Sequence, residues 1–271
     1  MAAADPGNAD AQRCFGVSLD KVAEARFAAG DHTGALKIYE EVLATTRTLA
    51  ASDPGNSQWQ RDLHVSLERI AKVRLAADDY AGALEAYEQG LAIIRRLVAA
   101  DPGNRDWQRD LSQTLNMVGH VKLELDDIAG ALPILEEGLA IRRTIAAADP
   151  DNLAWQRDVS ASLNHVGDAR TDAGDNAGAL EAYEEALAIR RKLTALDAGQ
   201  IAWQADLAVS LYNVSTVTEA PRARTALREA LAIVDTLARD GKLTSVQRGW
   251  HQRFTDALAK LPLVAETAGV R

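Results

Sequence analysis

One turn and one tryptophan recur along this chain at a fixed step of 48 residues, and that step limits what it can fold into. Asp5, Asp53, Asp101, Asp149 and Asp197 open the stretches DPGNADAQRCF, DPGNSQWQRDL, DPGNRDWQRDL, DPDNLAWQRDV and DAGQIAWQADL. A period of this length marks stacked supersecondary units, each too small to bury its own apolar face. The 271 residues are therefore expected to form one elongated array, residues 1–271, without a central core. Its repeats fall at about 5–52, 53–100, 101–148, 149–196 and 197–240.

Within the second repeat, Trp59, Leu63, Leu67 and Ile70 share one face of a helix, with Asn56 as its N-cap. DPGN suits a type II turn, Pro54 at the second position and Gly55 supplying positive φ at the third. AADDYAG interrupts the pattern, and a second helix from about Ala81 buries Leu84, Tyr87, Leu91 and Ile94. Two amphipathic helices joined by a short connection are antiparallel neighbours. The unit is a helical hairpin, and the fold class is all-α.

The inner pattern LERIAKVRLAADDYAGALEAYEQGL carries Ala71 midway along its first helix, then Ala83, Tyr87 and Gly90 along its second. Gly119, Ala131, Leu135 and Gly138 repeat the frame, as do Gly167, Ala179, Tyr183 and Ala186. These residues resemble the tetratricopeptide repeat. SLNHVGDARTDAGDNAGALEAYEEALAIRRKL (Ser162–Leu193) is similar to the kinesin light chain subtype in its asparagine-bearing first helix and long second helix. The resemblance implies a right-handed superhelical solenoid of antiparallel hairpins, here five plus a C-terminal capping helix. Two features depart from the family. The step is 48 rather than roughly 34 residues. Arg26, Arg74, Lys122 and Arg170 also replace the aromatic residue often found late in the first helix.

Several columns read as packing. Leu19, Leu67, Leu115, Leu163 and Leu211 form one, and Val22, Ile70, Val118, Val166 and Val214 another. Trp59, Trp107, Trp155 and Trp203 are expected in the core between repeats, and QRD after them as a polar first turn. Cys14, the single cysteine, is expected as a small buried apolar residue. In the fifth repeat four residues are missing between the helices, where Pro221 stands. A last helix over 244–261, capped by Thr244 or Ser245, presents Val246, Trp250, Phe254, Ala257 and Leu261 on one face. Nothing comparable caps the first repeat, which implies either a piece of a longer array or an end face that binds something.

Composition narrows the chemistry. A net charge of −9 argues against binding a phosphate backbone, which requires a basic surface. No apolar run reaches membrane-spanning length and no signal peptide is legible, so a cytoplasmic protein is expected. No phosphate loop, H-E-x-x-H or CxxC motif occurs. No enzymatic activity, cofactor or metal site is expected.

The columns that packing leaves free vary from repeat to repeat. One reads Asp20, Glu68, Asn116, Asn164, Tyr212; the next Lys21, Arg69, Met117, His165, Asn213; a third, one turn on, Glu24, Lys72, His120, Asp168, Thr216. The resemblance implies that such positions line a concave groove that binds partner peptides. The candidate partner-binding residues are therefore Glu68, Arg69, Lys72, Asn116, His120, Asn164, His165, Asp168, Tyr212 and Asn213. Asn116 and Asn164 would offer their amides to a peptide main chain. A protein or peptide partner is expected. Self-association through the uncapped first repeat and a regulatory module of a larger protein are the alternatives.

Overall fold

The structure is a computed structural model that describes residues 8–244 and 247–262. Asp5, Ser245 and Val246 lie outside the described residues. The helices are α1 (Ala9–Ala28), α2 (His32–Ser52), α3 (Ser57–Ala76), α4 (Tyr80–Ala100), α5 (Arg105–Glu124), α6 (Ile128–Ala148), α7 (Leu153–Asp172), α8 (Asn176–Leu196), α9 (Ile201–Thr216), α10 (Ala220–Arg239) and α11 (Trp250–Lys260). No strand occurs among the described residues. The odd-numbered helices from α1 to α9 are the A helices, and the even-numbered ones to α10 the B helices.

The chain divides into two compact units, residues 1–141 and 142–271, the boundary falling inside α6. In the first, α1 to α5 pack each on the next. Its core runs from Ala23 and Tyr39 through Leu67, Tyr87 and Ile94 to Leu115 and Val121. In the second, α7 to α11 pack in the same way around Tyr183, Leu211, Leu227, Val234 and Phe254. Each unit is therefore a helical-hairpin solenoid of the tetratricopeptide type.

Two short turns fix this geometry. Between repeats, the Asn56 amide N–H donates to the Asp53 carbonyl at 3.1 Å, and Asp53 Oδ1 accepts from Gly55 N. Gly55 does not have positive φ, so the type II turn expected from Pro-Gly is not formed. An aspartate in first position favours the type I turn instead. Asn56, Asn104 and Asn152 then cap α3, α5 and α7 through Trp59 N, Trp107 N and Trp155 N. Gln200 makes no such bond.

Within a repeat, Asp31, Asp79, Asp127 and Asp175 cap the B helices by accepting from Gly34, Gly82, Gly130 and Gly178 N. Glycine is required there, because a Cβ on Gly82 would overlap Asp79 Oδ2. The basic residues late in the A helices belong to this turn. Arg26 donates to Asp31 and Lys122 to Asp127, while Arg74 and Arg170 donate to the Gly82 and Gly178 carbonyls. They clamp the hairpin in place of the family's aromatic.

Repeat five loses that turn. α9 has 16 residues where the other A helices have 20, and Pro221 lies in the first turn of α10. The capping segment begins with a 3₁₀ turn at Gln247–Gly249 before α11. Thr244 Oγ1 accepts from Gln247 N at 3.3 Å while Gln247 Oε1 accepts from Thr244 N at 3.0 Å, a capping box.

Three packing expectations need correction. The four tryptophans are half-buried, not core, although Trp107 does pack on the first unit's core. Val22 is 49% exposed while Ile70 and Val118 are buried, and Leu19 is only half-buried. α3 and α9 each lie between two packed helices, whereas α1 packs on α2. Cys14 is exposed. Its column continues as Asp62, Asp110, Asp158 and Asp206, on the side that meets the preceding repeat's arginine.

Candidate functional site

That arginine-to-aspartate contact is periodic. Arg13, Arg61 and Arg157 donate through Nε to Asp62, Asp110 and Asp206 at 2.6, 2.8 and 2.5 Å. QRD is thus a rung linking successive A helices, not simply a solvated turn. A second set of rungs links the B helices: Arg47 to Gln89, Arg95 to Glu137, Arg143 to Glu185 and Arg191 to Glu229. These contacts are half-exposed and individually weak, but they hold A-helix columns in register.

In the first unit, Glu68 accepts from Thr114 Oγ1 at 2.7 Å and lies 3.6 Å from His64 Nε2. Burial pushes its carboxyl above the usual range, outweighing His64 and Thr114. Arg69 pairs with Asp20 and, at 3.7 Å, with Glu24, and its guanidinium lies over the Tyr39 ring. Lys72 is exposed, its ammonium 5.4 Å from the Phe27 ring centroid. His120 is half-buried and 4.0 Å from Glu124. Asn116 is 3% exposed and packs on Gly138, where a Cβ would stand 2.9 Å from its Oδ1.

In the second unit, Asp168 accepts from the Tyr183 hydroxyl at 2.7 Å, and burial together with that carboxylate pushes the phenol up. His165 and Asn213 are half-buried, and the Asn213 carbonyl accepts from Thr216 Oγ1. Tyr212 stacks on Phe254 at 4.9 Å, with Arg253 over its ring at 4.5 Å. Asn164 is 6% exposed; with its amide oriented toward α8, Oδ1 accepts from Arg190.

Asn116 and Asn164 therefore do not present open amides to a ligand. Both face the B helix of their own repeat, where Gly138 and Arg190 receive them. Tyr212 is likewise committed to α11. Arg69, Lys72 and His120 in one unit, and His165, Asp168 and Asn213 in the other, keep partial access to solvent. Among the described residues no group of three or more His, Cys, Asp or Glu is placed to hold a metal ion, and no helix is long and apolar enough to cross a membrane.

Sequence columns did not reveal the buried arginines. Arg190, 6% exposed, donates to Ser160 Oγ, Ser210 Oγ and the Asp206 carbonyl, and burial lowers its guanidinium pKa. Arg142, 8% exposed, donates to the Asp158 carbonyl at 2.8 Å. The signal was present: Thr46, Ile94, Arg142 and Arg190 are 48 residues apart in a column otherwise apolar or small.

Comparison with known proteins agrees with this architecture. Residues 159–194 match the tetratricopeptide repeat family model. The structure is similar to that of BtubC (BKLC) from P. vanneervenii, at 20% identity and a TM-score of 0.61 over 98% of this chain and 89% of that one. It is also similar to the nearly identical TPR-like repeats assigned to a kinesin light chain of Podosopora anserina, at 21% identity and a TM-score of 0.53 over 80% and 93%. The apo form of RapI has 12% identity and a TM-score of 0.61 over 90% and 83%. At such identities the likeness is one of fold. No curated protein matches the chain in sequence.

Proposed function

We propose that this chain, whose helical hairpins have the tetratricopeptide fold, is a non-catalytic scaffold that docks a segment of another protein on its A helices. One observation carries the reading. Ala23, Ala71, Gly119, Gly167 and Ser215 are buried, yet the next residues, Glu24, Lys72, His120, Asp168 and Thr216, differ in charge and keep solvent access. Packing fixes the first column and leaves the second free to encode a ligand. Burial removes Asn116 and Asn164 from the contact set, so recognition falls to side chains such as Arg69, Lys72, His120, His165 and Asn213.

A photo-reactive residue at position 72, 120, 165 or 213 should capture a partner, while one at exposed Glu85 or Glu88 on α4 should not. Capture confined to the B-helix positions would refute the reading.

Exposed apolar residues on α1 support a second reading, self-association. Phe15, Val17 and Val22 are 37%, 53% and 49% exposed. Concentration-dependent light scattering that vanishes in Val22→Glu would favour it; a concentration-independent monomer mass would exclude it.

A further inference from the structure

The 48-residue register makes it possible to compare one corner of the fold in both units. In the second unit the corner lies between α7, α8 and α9 and is filled by Arg190. Its Nε donates to Ser160 Oγ at 3.2 Å, and its Nη1 to the Asp206 carbonyl at 2.5 Å and Ser210 Oγ at 2.9 Å. Asn164 Oδ1 accepts two more bonds. All three guanidinium nitrogens meet neutral acceptors.

In the first unit the same corner lies between α1, α2 and α3. Three repeats earlier, Arg190 becomes Thr46, Ser160 becomes Gly16, Ser210 becomes Ser66 and Asp206 becomes Asp62. Side-chain volume is lost on two sides, and a cavity of about 140 Å³ lined by these four residues takes its place. A water needs about 10–15 Å³ of the same measure, so a side-chain head group fits. A Cβ on Gly16 would meet only Val42 Cγ1, at 3.8 Å. Repeat two fills its own corner differently, with Ile94 (0% exposed) at the arginine position.

Part of the acceptor set of the corner remains. Ser66 Oγ donates to the Asp62 carbonyl at 2.9 Å and accepts from Thr46 Oγ1 at 3.3 Å. That carbonyl also takes its helical N–H bond, so the open acceptor sites left are on the two hydroxyls. The neutral Asn164 is replaced by a carboxylate, because Asp20 occupies its place in the register and lines the cavity. Arg69 holds Asp20 Oδ2, but Oδ1 is buried with no hydrogen-bond partner. Such an oxygen calls for a donor. Of the arginines on the rim, Arg13 is paired with Asp62 and Arg61 with Asp110. Arg69 lies against Asp20 Oδ2 and Glu24 with its Nη1 buried and without a hydrogen-bond partner of its own, so an entering guanidinium would share the Asp20 carboxylate with it.

We propose that the cavity bounded by α1, α2 and α3 is a receptor for a guanidinium group, presented as an arginine side chain by a partner protein. It is the pocket that Arg190 fills from within in the second unit, emptied of its arginine and given a charged acceptor. Asp20 and Arg69 also belong to the A-helix columns, so the inference extends the docking reading to one ligand chemistry. Its test uses small probes and does not depend on the docked segment.

The probes are a blocked Gly-Arg-Gly tripeptide, its citrulline and lysine counterparts and free arginine, titrated into the full chain by calorimetry or NMR. The arginine tripeptide should bind, and citrulline, equal in shape but uncharged, at least about tenfold more weakly. Lysine lacks the planar fork and should also be weaker. Thr46→Arg, which supplies the guanidinium internally, should abolish binding and raise the melting temperature. Thr46→Ile, which copies repeat two, should abolish it even if Thr46→Arg folds poorly. Asp20→Asn should weaken it about tenfold or more.

Equal binding of arginine and citrulline, binding that survives both Thr46 changes, or no binding at millimolar concentration would each overturn the proposal. Tighter binding of free arginine than of the blocked tripeptide would overturn the protein source. Cross-linking from positions 72 and 165 that persists when the tripeptide does not bind would overturn this proposal and leave the docking reading standing, so the two failures are distinguishable.

Discussion

Asn164 on α7, with its amide oriented toward α8, accepts from both terminal nitrogens of Arg190, at 2.8 and 3.0 Å, in a junction where each residue is 6% exposed. The amide satisfies a buried charge, so Asn164→Ala should cost roughly 1.5–3 kcal/mol. Arg190→Met removes the charge together with its need for partners and should cost less. Hydrogen exchange across α7–α9 should report this order; the reverse order would mean that the guanidinium, not the amide, organises the junction.

Glu68 should make stability depend on pH in the direction opposite to an ordinary ion-paired carboxylate. Its folded pKa is raised by burial, so the folded state holds the proton more tightly than the unfolded one. Stability from this group is greatest below the unfolded value of about 4.5 and falls as pH rises through the folded value. Glu68→Gln keeps an acceptor for Thr114 without the charge. The variant should be at least as stable as the parent at pH 7, with its advantage shrinking as pH is lowered toward 5; urea melts at both pH values test this.

Asp79→Ala removes the cap on Gly82 N and the acid beside Arg74. A cost of about 0.5–2 kcal/mol is expected. Gly82→Ala, a change that would gain about 1 kcal/mol in an ordinary helix, should give no gain, because its Cβ would displace the same carboxylate. Thermal melts of the two variants distinguish loss of the cap from propensity.

Phe254 is 2% exposed and stacks on Tyr212 and Trp250. Phe254→Ala should cost about 3–5 kcal/mol locally and release α11 from α10. Tyr212, Leu227 and Val234 would then face solvent and promote association. A variant that stays monomeric with unchanged exchange protection in α9 and α10 would show that α11 is dispensable.

The periodic part of the architecture was legible because it rests on backbone chemistry. DPGN, the capping Asn, and the small residues at 71, 119 and 167 each serve one local contact, and the same or closely similar residues return every 48 positions. The contacts of Asn116, Asn164 and Tyr212 were not legible. All three occupy one variable column, and variation looks the same whether a position faces solvent or a partner that varies with it. Asn164 was unreadable without Arg190, 26 residues away on the other helix. Val22 and Cys14 misled for a related reason: their columns are buried or paired only where another helix lies alongside.

The rungs between repeats carry a consequence for how such a chain can change. Each A-helix rung joins residues 49 apart, and most B-helix rungs join residues 42 apart. Adding or removing 48 residues hands every surviving arginine an equivalent acceptor, so a whole repeat can be copied or lost without redesigning a contact. Arg191 reaches Glu229 over only 38 residues, because α9 between them ends four residues earlier than the other A helices while its three-residue connection to α10 keeps its length. Loss at the end of a helix leaves that rung intact; loss of a single residue inside a helix would turn the rest of that helix by about 100° and take its side chains off their partners. The tolerable lesions in this gene are therefore whole repeats and residues at helix ends, and single-codon deletions inside the helices should be the ones that abolish the protein.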